Sequence, residues 1–153
     1  MDETLVYTPS LGIEAGGSVM WWGDWAPDQG RTDEKSLVYE TAPLADSIKI
    51  MGFPLVKLQA YTNASVANWL VRLSDVDPQG RATQVTGAGF NARHLRSAEH
   101  PRDLVPDSLY TITIEMHVAS WTFRPGHRIR LAVNNSQWPM IWPTPFRQRR
   151  IRQ

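Results

Sequence analysis

The chain has 153 residues, 42% of them hydrophobic and 20% charged, enough to bury the core of one domain and too apolar for disorder. Cysteine is absent, which excludes disulfide staples, thiolate zinc sites and a cysteine nucleophile together. Net charge is +1, yet the last seven residues, RQRRIRQ, hold four arginines while the other 146 carry 12 basic and 15 acidic side chains, so the body offers no basic face for nucleic acid.

From the N-terminus, residues 1–35 are rich in Gly, Trp and Asp and read as an irregular lead-in packed on a sandwich of strands. Within them MDETLVYTPS lacks a basic region followed by an apolar stretch, and nowhere is a segment long enough to cross a bilayer, so no membrane partner is expected. Residues 36–145 change period to two. In PLVKLQAYT, Val56, Leu58 and Ala60 alternate with Lys57, Gln59 and Tyr61, the pattern of a strand with one buried face. NWLVRLSDV reads the same way. DPQG at 77–80 has the residue order of a type I turn and joins that strand to one near 81–86. In LYTITIEMHV, Tyr110, Ile112, Ile114, Met116 and Val118 share a side. RPGH at 124–127 places Pro125 and Gly126 at the centre of a type II turn, after which Ile129, Leu131 and Val133 point inward against Arg128, Arg130 and Ala132. Short strands separated by eleven prolines and ten glycines predict an all-β sandwich or jelly roll. Residues 146–153 form a basic tail.

No catalytic constellation emerges. GGSVM at 16–20 has methionine where a nucleophile elbow needs its second glycine, so His127 reads as the start of a strand after a turn. HLRSAEH at 94–100 lacks the spacing that puts two imidazoles on one helical face and reads as a polar loop. Asp24, Asp28, Asp33 and Glu34 do not fall at calcium-loop positions, so neither metal nor other cofactor is expected. The tripeptides NAS at 63 and NNS at 134 are too short to argue glycosylation. Tryptophan is the unusual residue: five of seven fall in two groups, Trp21, Trp22 and Trp25, and Trp138 and Trp142. The Pro-flanked second pair is expected to pack. Trp21 and Trp22 are adjacent, and in extended backbone one of the two rings must face away from the core and needs a partner.

PSLGIEAGG, DQGRTDEKSLVYETAPL, VRLSDVDPQGRA and SWTFRPGHRIRLAVNNSQWP resemble, in order and spacing over about residues 9–145, the C-terminal domain shared by Xaa-Pro dipeptidyl-peptidases, cocaine esterase and related acyl esterases. The resemblance implies a galactose-binding-domain-like jelly roll following an α/β-hydrolase domain that carries Ser, Asp and His, with none of those residues in this chain. It implies a detached, non-catalytic domain whose partner is that hydrolase domain and whose apolar side chains Met20, Trp21, Trp22 and Trp25 border the substrate cleft or the domain interface. A free-standing carbohydrate-binding module using exposed tryptophan is the alternative. The FRQRRIRQ ending departs from the family's closing strand, and the open edge this leaves is expected to recruit a second copy of the chain.

Overall fold

Alternating apolar and polar side chains favour extended backbone with one face turned inward, and the stretch LVKLQAY obeys this rule, its residues exposed and buried by turns. In the computed structural model, which describes residues 4–11, 28–138 and 141–145, it is the third of eight strands. These are β1 (Leu37–Glu40), β2 (Ile48–Gly52), β3 (Leu55–Tyr61), β4 (Asn68–Val76), β5 (Ala82–Asn91), β6 (Leu109–Glu115), β7 (Ala119–Phe123) and β8 (Arg128–Asn134). One helical turn, α1 (Gly30–Asp33), lies inside the lead-in that the sequence predicts to be irregular, and a 3-10 turn spans Ala92–His94.

The pairing is nested: β1 with β8, β2 with β7, β3 with β6 and β4 with β5, all antiparallel. This is what results when one long hairpin folds back over itself, and it is the jelly roll that the sequence predicts. A further antiparallel contact between β4 and β8 joins two of the pairs into a sheet ordered β1-β8-β4-β5. The pairs β2·β7 and β3·β6 form the facing layer. Between the layers Leu58, Ala60, Ile112 and Ile114 pack with Trp69, Val71, Ala88 and Val133. At about 25 cal/mol per Å² of apolar surface removed from water, this cluster is the main stabilising element.

The register explains a second, smaller cluster. Leu73 pairs with Thr86 and Ser74 with Gln84, so Val85 is the extra residue of a β-bulge. The bulge turns Val85 into the interior, where it packs with Ala119 and Phe123 and against Ile50 and Ile129. Both predicted turns form. Gly80 N–H donates to the Asp77 carbonyl (2.9 Å) and Gly80 has φ 89°, a type I turn closed by a left-handed glycine. His127 N–H donates to the Arg124 carbonyl (3.1 Å) and Gly126 has φ 79°, as a type II turn requires.

Three expectations need correction. The alternation in β4 predicts one buried face, but Leu70, Arg72, Ser74 and Val76 on its outer face are as buried as Trp69 and Val71. Polypeptide before β1 covers that face: Arg72 Nη2 reaches Asp33 Oδ1 of α1 at 2.8 Å, and Arg130 reaches Asp33 Oδ2 at 2.9 Å and Glu40 Oε2 at 2.6 Å. Burial pushes the Arg72 guanidinium below its ordinary value, opposed by Asp33. For Arg130 burial acts downward too, but hydrogen bonds to Asp33 and Glu40 hold it above the ordinary range. Second, β6 ends at Glu115, so the alternation lapses and Val118 is exposed. Third, Trp142 does not pack as its flanking prolines suggest: it is 73% exposed, its ring centroid 5.4 Å from that of Trp138 at a tilt of 55°.

Candidate functional site

The sandwich core gives out where β4 enters its turn, and there the inner face becomes polar. Asp75 pairs in register with Thr83 on β5 and Ile129 on β8, so all three side chains share the inward side. A carboxylate at such a position must find donors, and both of its oxygens do. Oδ1 lies 2.8 Å from His127 Nδ1, and Oδ2 accepts from Trp121 Nε1 at 2.9 Å. The Asp75 side chain is 7% exposed and that of His127 19%. Because an ionised carboxylate only accepts, Nδ1 carries the proton and Nε2 is the ring's other functional nitrogen.

Two turns hold this arrangement. The 77–80 turn is braced by Asp77 Oδ1, which accepts from the N–H of Gln79 (3.0 Å) and of Arg81 (2.9 Å). The 124–127 turn is tied to the chain before β2 by Leu44 N–H to the His127 carbonyl and Gly126 N–H to the Leu44 carbonyl, both 2.8 Å. A Cβ built on Gly126 would sit 3.8 Å from Pro78, so the turns touch. Beside them opens a recess of about 450 Å³ whose walls include Asp75, Trp121 and His127 together with Arg81 and Arg124. Thr83, Ser120 and Thr122 complete its lining.

An Asp–His pair is two parts of a hydrolytic triad, and no hydroxyl among the described residues hydrogen-bonds the His127 ring as the third. His127 does begin a strand after a turn, as its position in RPGH predicts, and its Asp75 partner is what sequence reading misses. The one available signal is an acid at an inward position in LSDV, two residues before the turn.

Of the other sequence candidates, Met20, Trp21, Trp22 and Trp25 lie outside the described residues. His94 Nδ1 is 3.1 Å from the Ala98 carbonyl within its own loop, and among the described residues no three His, Asp or Glu side chains gather as metal ligands would. Asn134 is wholly buried at the end of β8, which removes the second glycosylation tripeptide from consideration, whereas Asn63 is exposed.

Nested strand pairing around a two-layer core, with a polar site at one end, defines a jelly-roll domain. Residues 3–151 match the family described as the X-Pro dipeptidyl-peptidase C-terminal non-catalytic domain, and the chain belongs to that family. It is 28% identical over 142 residues to cocaine esterase of Rhodococcus sp. (strain MB1 Bresler), a match covering 90% of this chain and 25% of the esterase. It is 32% identical over 124 residues to a protein of Mycobacterium tuberculosis (strain CDC 1551 / Oshkosh) named as a serine esterase, covering 70% of the chain and 20% of that protein. Among solved structures it resembles an alpha-amino acid ester hydrolase, with a TM-score of 0.81 and 29% identity over 94% of this chain and 26% of that one. The chain thus spans a fifth to a quarter of these relatives, in which the domain is part of a larger hydrolase.

Proposed function

We propose that this chain packs on the α/β-hydrolase domain of a serine hydrolase of the Xaa-Pro dipeptidyl-peptidase or acyl esterase type and borders its substrate cleft. The observation that carries the reading is the match of nearly the whole chain to a non-catalytic domain which, in its relatives, accompanies about three times its own length of further polypeptide. The apolar surface of β2 and β3 supports it: Met51 is 87% exposed, and Phe53 and Leu55 are 60% exposed each. An exposed group of this kind marks a surface made for a partner. Met20, Trp21, Trp22 and Trp25 are assigned to the same interface, on the reasoning that three aromatic rings in ten residues exceed what one core can take. Bond cleavage itself, by an acyl-enzyme route, belongs to the partner domain.

The test is co-expression with the α/β-hydrolase domain of a serine hydrolase of this type. Elution as one complex, lost when Phe53→Ser and Met51→Ser are introduced together, supports the reading. Separate elution of two folded proteins contradicts it.

A second reading, carbohydrate binding, has one observation in its favour, the exposed Trp142 ring resting against Trp138. Aromatic faces of this kind stack against sugars. Retention of the chain on polysaccharide, abolished by Trp142→Ala, distinguishes it.

A further inference from the structure

We propose that the recess beside Asp75, Trp121 and His127 is a binding site for a small carboxylate. This does not rest on docking to a hydrolase domain, and either can fail without the other.

The donors and acceptors of the recess do not balance. Asp75 is committed inward, to the His127 and Trp121 N–H groups, and Asp77 Oδ1 takes two backbone N–H groups of its own turn. The arginines of the recess are not so engaged. Neither the Arg81 nor the Arg124 guanidinium has a hydrogen bond or ion pair with any described residue, and the hydroxyl of Thr83, which shares the face of Asp75, likewise has no partner there. Elsewhere four arginines are paired with acids, Arg93 with Asp103 among them. Arg72, Arg128 and Arg130 are each held by Asp33 or Glu40. A concave site whose two guanidiniums have no partner among the described residues, with the Thr83 hydroxyl beside them, suits an acceptor-rich ligand.

Charge selects the kind of acceptor. Asp75 and Asp77 offset Arg81 and Arg124, so these four charges cancel and the recess accommodates one negative charge more readily than two. A phosphate dianion would bring its second charge towards Asp75 and Asp77. A carboxylate brings one charge and a planar pair of oxygens, which matches the planar guanidinium fork. Trp121 supplies an apolar wall for the body of the ligand, and Asp75 fixes that ring through its indole N–H. A volume of about 450 Å³ lies in the range of small-molecule sites. Because the Asp75 contacts and the two turns hold the walls before any ligand arrives, little ordering is required on binding.

The test is titration of the ¹⁵N-labelled chain with succinate, followed by NMR at constant ionic strength. Succinamide, neutral and of nearly the same shape, serves as the control. Expected are saturable shifts of the Trp121 indole N–H, assigned through Trp121→Phe, and of the Arg81, Thr83 and Arg124 amides, with no comparable response to succinamide. Arg81→Gln and Arg124→Gln alter exposed side chains, and each should weaken binding by about tenfold or more with an unchanged melting temperature. A tripeptide with a free C-terminal carboxylate, compared with its amide, distinguishes the two sources of the group: tighter binding than succinate assigns the site to a chain terminus, and weaker binding assigns it to a free metabolite. The absence of saturable shifts with either carboxylate overturns the proposal, as does an equal response to succinamide or tighter binding of methyl galactoside or inorganic phosphate.

Discussion

Arg72 Nη2 lies 2.8 Å from Asp33 Oδ1, and the two side chains are 1% and 3% exposed. The pair fastens α1 to the outer face of the β1-β8-β4-β5 sheet, and Asp33 holds Arg130 as well. Truncating one partner of a buried pair leaves an uncompensated charge, at a cost of about 3–5 kcal/mol. Asp33→Ala is therefore expected to lower stability by about that much, and the double change Asp33→Leu with Arg72→Met to recover a large part of it. Urea denaturation midpoints of the two variants and the parent protein check this. Equal loss in the single and double variants would show that packing, not the charge, sets the cost.

The 124–127 turn gives a second prediction. Gly126 has φ 79°, and a Cβ there meets nothing closer than Pro78 at 3.8 Å, so space is available and only backbone strain opposes a side chain. Gly126→Val is expected to destabilise by about 1–2 kcal/mol. Gly126→Asn, a residue that tolerates this backbone, should cost distinctly less. Guanidinium denaturation of both variants provides the comparison.

Stability should fall at alkaline pH in a way traceable to one phenol. Tyr7 Oη donates to the Thr144 carbonyl at 2.7 Å, joining the two ends of the described chain, and burial raises its pKa above the ordinary 10.0. A raised folded-state value means that folding favours the protonated phenol. Its contribution is complete below the unfolded-state value and is lost as pH rises from about 10 through the folded-state value. Tyr7→Phe should cost about 1 kcal/mol at neutral pH and remove that part of the alkaline decline. Melting temperatures of both proteins across the alkaline range would show it.

The strands of this fold are legible wherever a single face meets the core. Val56, Leu58 and Ala60 on β3, and Ile112 and Ile114 on β6, are buried as their alternation predicts, and Pro125-Gly126 and Asp77-Pro78 announce their turns. The outer face of β4 is not legible. Arg72 and Ser74 look like a solvated face, because the covering segment and the Asp33 that neutralises Arg72 come 39 residues earlier in the chain. The Asp75–His127 pair, separated by 52 residues, is hidden for the same reason. A strand's own pattern reports which residues alternate; it does not report what lies over them. Trp142 misleads in the opposite sense, since flanking prolines suggest a fixed ring but do not determine whether anything covers it.

The segment at 16–25 carries a kinetic prediction. If Trp21 and Trp22 line the edge of the cleft in the complete enzyme, replacing each by alanine should lower kcat/KM for bulky acyl groups by about 1–3 kcal/mol in transition-state terms, with folding stability retained. Steady-state kinetics and thermal melts on the same preparations are required. Lost stability with unchanged kinetics per folded enzyme would assign both rings to the core.

The most direct test of the central claim is an activity reconstitution. The chain alone, the hydrolase domain alone and the two mixed in equal amounts are assayed on p-nitrophenyl esters and Xaa-Pro anilides, with sedimentation velocity run on the same three samples. The expected result is no turnover above buffer by the chain, since His127 has no hydroxyl partner among the described residues, together with a one-to-one complex in the mixture whose kcat/KM exceeds that of the hydrolase domain alone. Turnover by the repurified chain, or a hydrolase domain whose sedimentation and activity are indifferent to the chain, would contradict it.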